Sequence, residues 1–202
     1  MNTFMKKLKA PGKDKFLADM KATSERLKPA DSGLRVYPYF LNYFQRGGPI
    51  TRADFVVASS FSYGWMPRML KLHGTDDDWN RAATILNEAK GRRITSSEEL
   101  EFLSLKINNS LVGTSKLLHF VNPEKHPIWD SRVYRYLASE RPDGSEMRAI
   151  GNYIRFLAIC DEVMAWREFP EAARMFQERL GQQCTPIRVV ELTMWENGAP
   201  SK

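Results

Sequence analysis

Residues 110–137, SLVGTSKLLHFVNPEKHPIWDSRVYRYL, are the stretch that decides the fold. The segment 112–115 carries a glycine and two hydroxyl residues, which predicts a turn between two helices. The prolines at 123 and 127 fix φ and favour extended geometry in the residue before them, so the chain leaves the helix there. Asp130 then begins another helix, because aspartate is a preferred N-cap residue. The stretch therefore predicts a hairpin of helices, an extended crossing and a further helix.

Helical periodicity extends on both sides of this stretch. Start signals of the capping-box type lie at Thr51, Thr75 and Ser96, each followed three residues later by an acid. After Asp130, apolar residues recur at helical spacing near 131–139, 145–166, 168–180 and 186–196. The alternation of apolar and polar residues that is typical of β-strands is nearly absent. We therefore predict an all-α fold of nine to eleven helices.

The composition is that of a globular protein, with 43% hydrophobic and 27% charged residues in 202. No apolar run approaches the roughly 18 residues that a membrane span requires, and residues 1–15 lack the apolar core of a secretory signal. Two cysteines, Cys160 and Cys184, are too few for a disulfide framework or an iron–sulfur cluster, and no Cys/His set has zinc-ligand spacing. We expect a cytoplasmic protein, associated with the nucleoid if the source is bacterial. We also expect it to bind no membrane, no metal ion and no cofactor.

Positive charge is concentrated at the N-terminus. The net charge is +6, and residues 1–28 hold eight lysines or arginines against three acids. Such a segment is either a solvated arm or an arm that contacts nucleic-acid phosphates. We predict a basic N-terminal arm or helix at 1–30 and a single helical domain at 31–202, with its hairpin at 108–120.

The turn at 112–115 is a candidate anion site. Free amides at the start of a helix bind anions, and here Gly113, Thr114 and Ser115 precede the charged Lys116. One phosphate of a nucleic-acid backbone fits this arrangement. The alternative is an ordinary helix N-terminus in which the serine caps its own backbone.

Asp130 can likewise be interpreted as a structural residue or as a functional one. As an N-cap it only satisfies helix amides. A carboxylate held by such amides stays ionised, and an ionised carboxylate beside a groove stabilises a cation that develops on a sugar carbon.

Taken together, these residues resemble the helix-hairpin-helix DNA glycosylases that carry a Gly/Pro-Asp motif. The tail of that motif, an aspartate, a small hydroxyl residue, a polar residue, valine, any residue and arginine, matches residues 130–135, DSRVYR. The hairpin has one glycine, Gly113, where the family commonly has two, and Lys116 follows it by three residues rather than two. The resemblance covers about 28 residues and points to the 8-oxoguanine-glycosylase-like branch, since the cysteine count excludes the iron–sulfur branch.

The resemblance implies a monomeric two-lobed helical enzyme that flips a modified base out of double-stranded DNA and excises it. Asp130 would stabilise the sugar cation or orient the nucleophile. Lys116 would attack the sugar carbon and form a Schiff base; otherwise water attacks. The implied DNA contacts are Gly113, Thr114, Ser115, Arg132 and Arg135. Four aromatic or histidine side chains are candidates for stacking on the base, or else belong to the core: Trp129, His119, Tyr63 and Trp65.

Two other functions fit the same residues. A non-catalytic helix-hairpin-helix protein would bind DNA without excising a base, and a helical adaptor would bind another protein. The identity of the excised base, and a role in repair or in defence against foreign modified DNA, are open at this point.

Overall fold

A computed structural model describes residues 8–28, 32–64, 69–182 and 184–199 of the chain. Over these residues the chain is all-α, and the predicted fold class and number of helices are confirmed. One isolated backbone bridge, between Leu72 and Ile107, is the only β-type pairing in the described residues. The helices are α1 (Lys13–Arg26), α2 (Ser32–Gln45), α3 (Arg52–Gly64), α4 (Asp76–Ala89), α5 (Ser97–Lys106), α6 (Leu111–Val121), α7 (Ser131–Ala138), α8 (Gly144–Arg148), α9 (Ile150–Met164), α10 (Phe169–Leu180) and α11 (Pro186–Asn197).

Helices α2 to α6 form one group, and α6 lies at its centre. α6 packs against α2, α3, α4 and α5, and also against α8. Apart from the half-buried Val112, all of its residues are buried. This central position buries the polar residues of α6 as well, among them Lys116 and His119.

The second group consists of α1, α7, α9, α10 and α11. α11 packs against the other four, and the contact of α5 with α9 joins the two groups into one continuous core. Residues 8–28 of the basic segment belong to this group, because α1 buries Phe16 and Met20 against α10 and α11. The remaining part of the segment, 1–7 and 29–30, lies outside the described residues.

The hairpin turn lies between α5 and α6, at 107–110. This is earlier than the turn expected at 112–115, which belongs to α6. Asn108 and Asn109 adopt left-handed φ values of 55° and 50°, which asparagine tolerates better than other non-glycine residues. The Asn108 side chain donates to the carbonyl of Met69 at 2.8 Å and accepts from the amide of Lys71. Two asparagines therefore make the turn that we assigned to glycine.

Gly113 has a different role, because it allows α3 and α6 to approach closely. A Cβ atom at this position would lie 2.8 Å from the hydroxyl oxygen of Tyr63 and 2.9 Å from its ring. A side chain at this position would require the Tyr63 ring to shift. The glycine is thus required by packing inside a helix and not by a turn.

Candidate functional site

The site is built on a hydrogen bond between α6 and the extended segment that precedes α7. The hydroxyl of Ser115 donates to the carbonyl of Val112 at 2.9 Å and accepts from the amide of Trp129 at 2.9 Å. Both Ser115 and Trp129 are fully buried. Lys116 follows Ser115 in the chain, and Asp130 follows Trp129. The hydrogen bond therefore fixes the backbones of Lys116 and Asp130 relative to one another.

Asp130 is the N-cap of α7, as the sequence predicts. Its backbone is extended, and its carboxylate accepts a hydrogen bond from the amide of Arg132 at 2.8 Å. The residue is half-buried. The positive end of α7 stabilises its charge.

Lys116 is a buried lysine on α6, with only 8% of its surface exposed. Within the described residues, no hydrogen bond or ion pair is made by its ammonium group. Burial lowers the pKa of Lys116, while the negative charges of Asp130 and Glu191 act in the opposite direction. The two residues that we predicted as catalytic therefore lie within electrostatic reach of one another.

A buried ion pair on α11 belongs to the same cluster, and sequence reasoning missed it. The guanidinium of Arg188 binds the carboxylate of Glu191, with side chains that are 7% and 3% exposed. Burial raises the pKa of Glu191, and Arg188 opposes this rise. The available signal was a pair of opposite charges three residues apart, Arg188 and Glu191, flanked by apolar residues in α11.

A chain of contacts leads from Arg188 to α6. Its guanidinium lies 4.8 Å from the ring centre of Tyr37 on α2, and the Tyr37 hydroxyl lies 2.7 Å from Nε2 of His119. Nδ1 of His119 lies 2.6 Å from the carbonyl oxygen of His126. Because a carbonyl only accepts, Nδ1 carries the proton, and Nε2 accepts from Tyr37. Burial holds the pKa of His119 well below its usual value, which favours this neutral form.

The candidate base-pocket residues that the structure describes are core residues in this conformation. Trp129 packs against Phe156, with ring centres 5.5 Å apart, and its indole donates to the carbonyl of Met147 at 3.2 Å. His119 is fully buried and contacts Tyr37 and the His126 carbonyl, as described above. Tyr63 packs against Gly113. The fourth candidate, Trp65, lies outside the described residues.

The residues expected to contact phosphate, Gly113, Thr114 and Ser115, lie inside α6 and not in a turn before it. The amide of Gly113 donates to the hydroxyl of Ser110 at 3.1 Å, and the amide of Thr114 donates to the Ser110 carbonyl at 3.0 Å. The side chains of Thr114 and Ser115 are fully buried. The amides of Gly113 and Thr114 are therefore hydrogen-bonded within the first turn of α6.

The two arginines of the motif tail attach α7 to the end of α11. The guanidinium of Arg132 lies 4.1 Å from the ring centre of Trp195, and Arg135 donates to the carbonyl of Gly198 at 2.7 Å. Both side chains are half-buried. Their contacts in the structure are with the protein, and they place α11 against the helix that Asp130 begins.

A comparison with protein-family models, curated proteins and solved structures returns no match to this chain. No helix in the described part of the chain is long and apolar enough to cross a membrane. The same residues contain no group of three His, Cys, Asp or Glu side chains arranged to hold a metal ion.

Proposed function

We propose that this protein is a DNA glycosylase of the helix-hairpin-helix type, which excises a modified base from double-stranded DNA. The observation that carries the proposal is the position of Lys116. It is a buried lysine without an ion-pair partner in the described residues, the negative charge of Asp130 acts on its pKa, and it lies on α6, the second helix of the helical hairpin. A lysine whose pKa is lowered by burial beside a specific carboxylate is typical of functional sites.

Asp130 supplies the negative charge that the reaction needs. Cleavage of the bond between base and sugar places positive charge on the sugar carbon, and a preorganised carboxylate stabilises it. The amide of Arg132 and the N-terminus of α7 hold this carboxylate in one orientation. A half-buried carboxylate is also accessible to a sugar that is flipped out of the duplex.

Lys116 supplies the nucleophile if its amine reaches the sugar. The neutral nitrogen forms a bond to the sugar carbon, the bond from that carbon to the base breaks, and its electron pair leaves with the base. Loss of a proton from nitrogen and opening of the sugar ring then give the Schiff base. Because Lys116 is 8% exposed, this route requires the region between α6 and α7 to open around the sugar. Without such opening, water attacks instead and Asp130 orients it.

The direct test is a panel of duplexes that each carry one oxidised, deaminated, alkylated or glucosylated base. Alkali converts every abasic site into a strand break, so cleavage reports base excision whichever nucleophile is used. We expect cleavage of at least one substrate by the wild-type protein. Binding of the duplexes without cleavage of any substrate would overturn the proposal.

A non-catalytic helix-hairpin-helix DNA-binding protein is the second candidate, because the hairpin of α5 and α6 is present whether or not Lys116 reacts. This candidate predicts binding whose log K falls with log salt by about 0.9 per phosphate contacted. It also predicts that neither Asp130→Asn nor Lys116→Gln changes any reaction of the DNA.

Within the glycosylase proposal, trapping with borohydride distinguishes attack by Lys116 from attack by water. A covalent complex of protein and DNA that forms with the wild type and is absent in Lys116→Gln identifies the lysine as the nucleophile.

A further inference from the structure

A cleft of about 570 Å³ lies between the N-terminal segment and the C-terminal end of α7. The N-terminal part of its lining is Lys9, Ala10, Pro11 and Lys15, and the remainder is residues 136–140. Its volume is in the range of sites that bind small ligands or single groups of larger ones. None of the residues assigned to the candidate site above lines it, so the cleft is a second feature of the surface.

Contacts between α1 and α7 hold the cleft in place. The hydroxyl of Tyr136 donates to the carboxylate of Asp19 at 2.7 Å, and the ammonium group of Lys15 lies 4.7 Å from the centre of the Tyr136 ring. The backbone amide of Lys9 donates to the carbonyl of Leu137 at 3.4 Å. The cleft is therefore formed by the folded protein itself, before any ligand binds.

The cleft presents hydrogen-bond donors with positive charge. Lys9 and Lys15 are both exposed, and no hydrogen bond or ion pair of the Lys9 ammonium group is found in the described residues. The Lys15 ammonium group also contacts Asp19 at 2.5 Å. Ser139, which ends α7 in a left-handed conformation, adds an exposed hydroxyl. Two ammonium groups and a hydroxyl suit an anion with several acceptor oxygens, such as a phosphate group.

The distance from Asp130 relates the cleft to the candidate site. Asp130 begins α7 and the cleft lies at its other end, eight residues later. Eight helical residues span about 12 Å. The phosphates of one DNA strand advance about 3.4 Å each along the duplex axis, so 12 Å corresponds to roughly three or four nucleotides. Residues 131–138 between the two ends include two arginines and no acid, so no negative charge on α7 opposes a strand along it.

We propose that this cleft binds a backbone phosphate of the DNA strand that carries the modified base, through Lys9, Lys15 and Ser139. The proposal rests on the proposed function, because it names a further contact of the same DNA, three or four nucleotides from the base that is excised. It also assigns the basic N-terminal segment a role: two of its lysines bind a phosphate at a defined place.

The experiment measures binding of the full-length protein to an unmodified duplex by fluorescence anisotropy, over a series of salt concentrations. Lys9→Ala removes one phosphate contact, so we expect log K to fall less steeply with log salt, with a slope smaller by about 0.9. At about 0.1 M salt, this corresponds to an affinity lower by about eightfold. Lys21→Ala is the matched control, because Lys21 is an exposed lysine on α1 that does not line the cleft. It should bind as wild type does.

Two further substitutions change the charge at the α7 side of the cleft. Ser139→Asp and Ser139→Asn introduce side chains of nearly the same size, and both tolerate the left-handed φ of 58° at this position. Only the aspartate adds a negative charge, so Ser139→Asp should weaken binding at least as much as Lys9→Ala, and Ser139→Asn should not. Glu140 is the only acid among the described residues that line the cleft, and Glu140→Gln should tighten binding. Thermal unfolding checks that each variant is folded.

Equal losses in Lys9→Ala and Lys21→Ala, or equal binding by Ser139→Asp and Ser139→Asn, would overturn the proposal. If Lys9→Ala does not fold, the Ser139 pair still decides it. Calorimetry with inorganic phosphate tests the alternative source of the anion. Phosphate binding that Lys9→Ala abolishes, with DNA binding unchanged, would assign the cleft to a free anion and reject the DNA contact.

The binding assay is independent of base excision, so the two proposals fail separately. Variants that bind DNA as wild type does, in a protein that excises a base, would reject the cleft and leave the glycosylase function intact. Variants that change binding as expected, in a protein that excises no base, would keep the DNA contact and reject the glycosylase function.

Discussion

The hydroxyl of Ser115 accepts a hydrogen bond from the backbone amide of Trp129 at 2.9 Å, across the gap between α6 and the segment before α7. This contact joins the residue before Lys116 to the residue before Asp130. Because it lies in the fully buried part of the molecule, its loss leaves an amide without a partner. The relative position of the two candidate catalytic residues thus depends on a side chain that takes no part in the chemistry.

Ser115→Ala tests this dependence. We expect the free energy of unfolding to fall by about 1–3 kcal/mol, the cost of an unsatisfied buried donor. Base excision should fall further than the loss of folded protein explains, since Asp130 is no longer fixed relative to Lys116. Urea unfolding and single-turnover assays measure the two effects. Ser104→Ala is the matched control, because the buried Ser104 hydroxyl has no hydrogen-bond partner in the described residues. Equal effects of both substitutions would contradict the account.

Gly113→Ala tests the close approach of α3 to α6. The new methyl group would lie 2.8 Å from the Tyr63 hydroxyl oxygen, so we expect a loss of about 1–3 kcal/mol, as overpacked cores show. Combining Gly113→Ala with Tyr63→Leu removes the clash. In a double-mutant cycle measured by thermal unfolding, the combined loss should be smaller than the sum of the two single losses. Strict additivity would show that Gly113 has another role.

Acid pH should destabilise the protein through its buried histidines. Burial lowers the pKa of His126 to about 4, from an ordinary value of 6.5. Between these values the unfolded state binds more protons than the folded state, so stability falls as the pH falls from 6.5 to 4. The pKa difference corresponds to about 3 kcal/mol. His126→Phe should flatten this part of the stability curve in urea titrations at several pH values. An unchanged slope would show that His126 is protonated in the folded state.

The sequence predicts the local features of this fold well. Thr75, Ser96 and Asp130 cap helices in the structure as predicted, because an N-cap hydrogen bond involves residues two or three positions apart. The break at 148–150 was not predicted. We expected one helix near 145–166, and the structure has α8 and α9 with an extended Ala149 between them. The bond from the Trp129 indole to the Met147 carbonyl is part of this break, and it is a long-range contact.

The site was predicted less completely, because part of it also depends on contacts between residues far apart in the sequence. Lys116 and Asp130 were identified from local spacing, and they lie within electrostatic reach of each other. The role of Gly113 depends on Tyr63, which is 50 residues away, and local sequence gives no sign of that contact. Arg188 and Glu191 enter the cluster only because α11 packs on α7, which is a property of the tertiary structure.

Lys116→Met tests the cost of the buried lysine. At pH 7 we expect this variant to be more stable than wild type by roughly 1–2 kcal/mol, since the desolvated charge is removed. The difference should shrink as the pH rises toward 10.5, because the folded state loses the proton of Lys116 before the unfolded state does. Urea unfolding between pH 7 and pH 10 measures both. Lys106→Met, which removes a lysine paired with Asp78 at 3.0 Å, should bring no such gain. A less stable Lys116→Met would mean that the ammonium group is structural.

The most direct test of the central claim compares two aspartates that cap helices. Asp130 caps α7 and Asp143 caps α8. Substitution of either one by asparagine removes its negative charge but keeps an N-cap side chain. On a duplex that the wild-type protein cleaves, single-turnover base excision by Asp130→Asn should be slower by about 100-fold or more, the effect of removing one electrostatic stabiliser. Asp143→Asn should excise the base at the wild-type rate. Equal rates for Asp130→Asn and wild type would contradict the account.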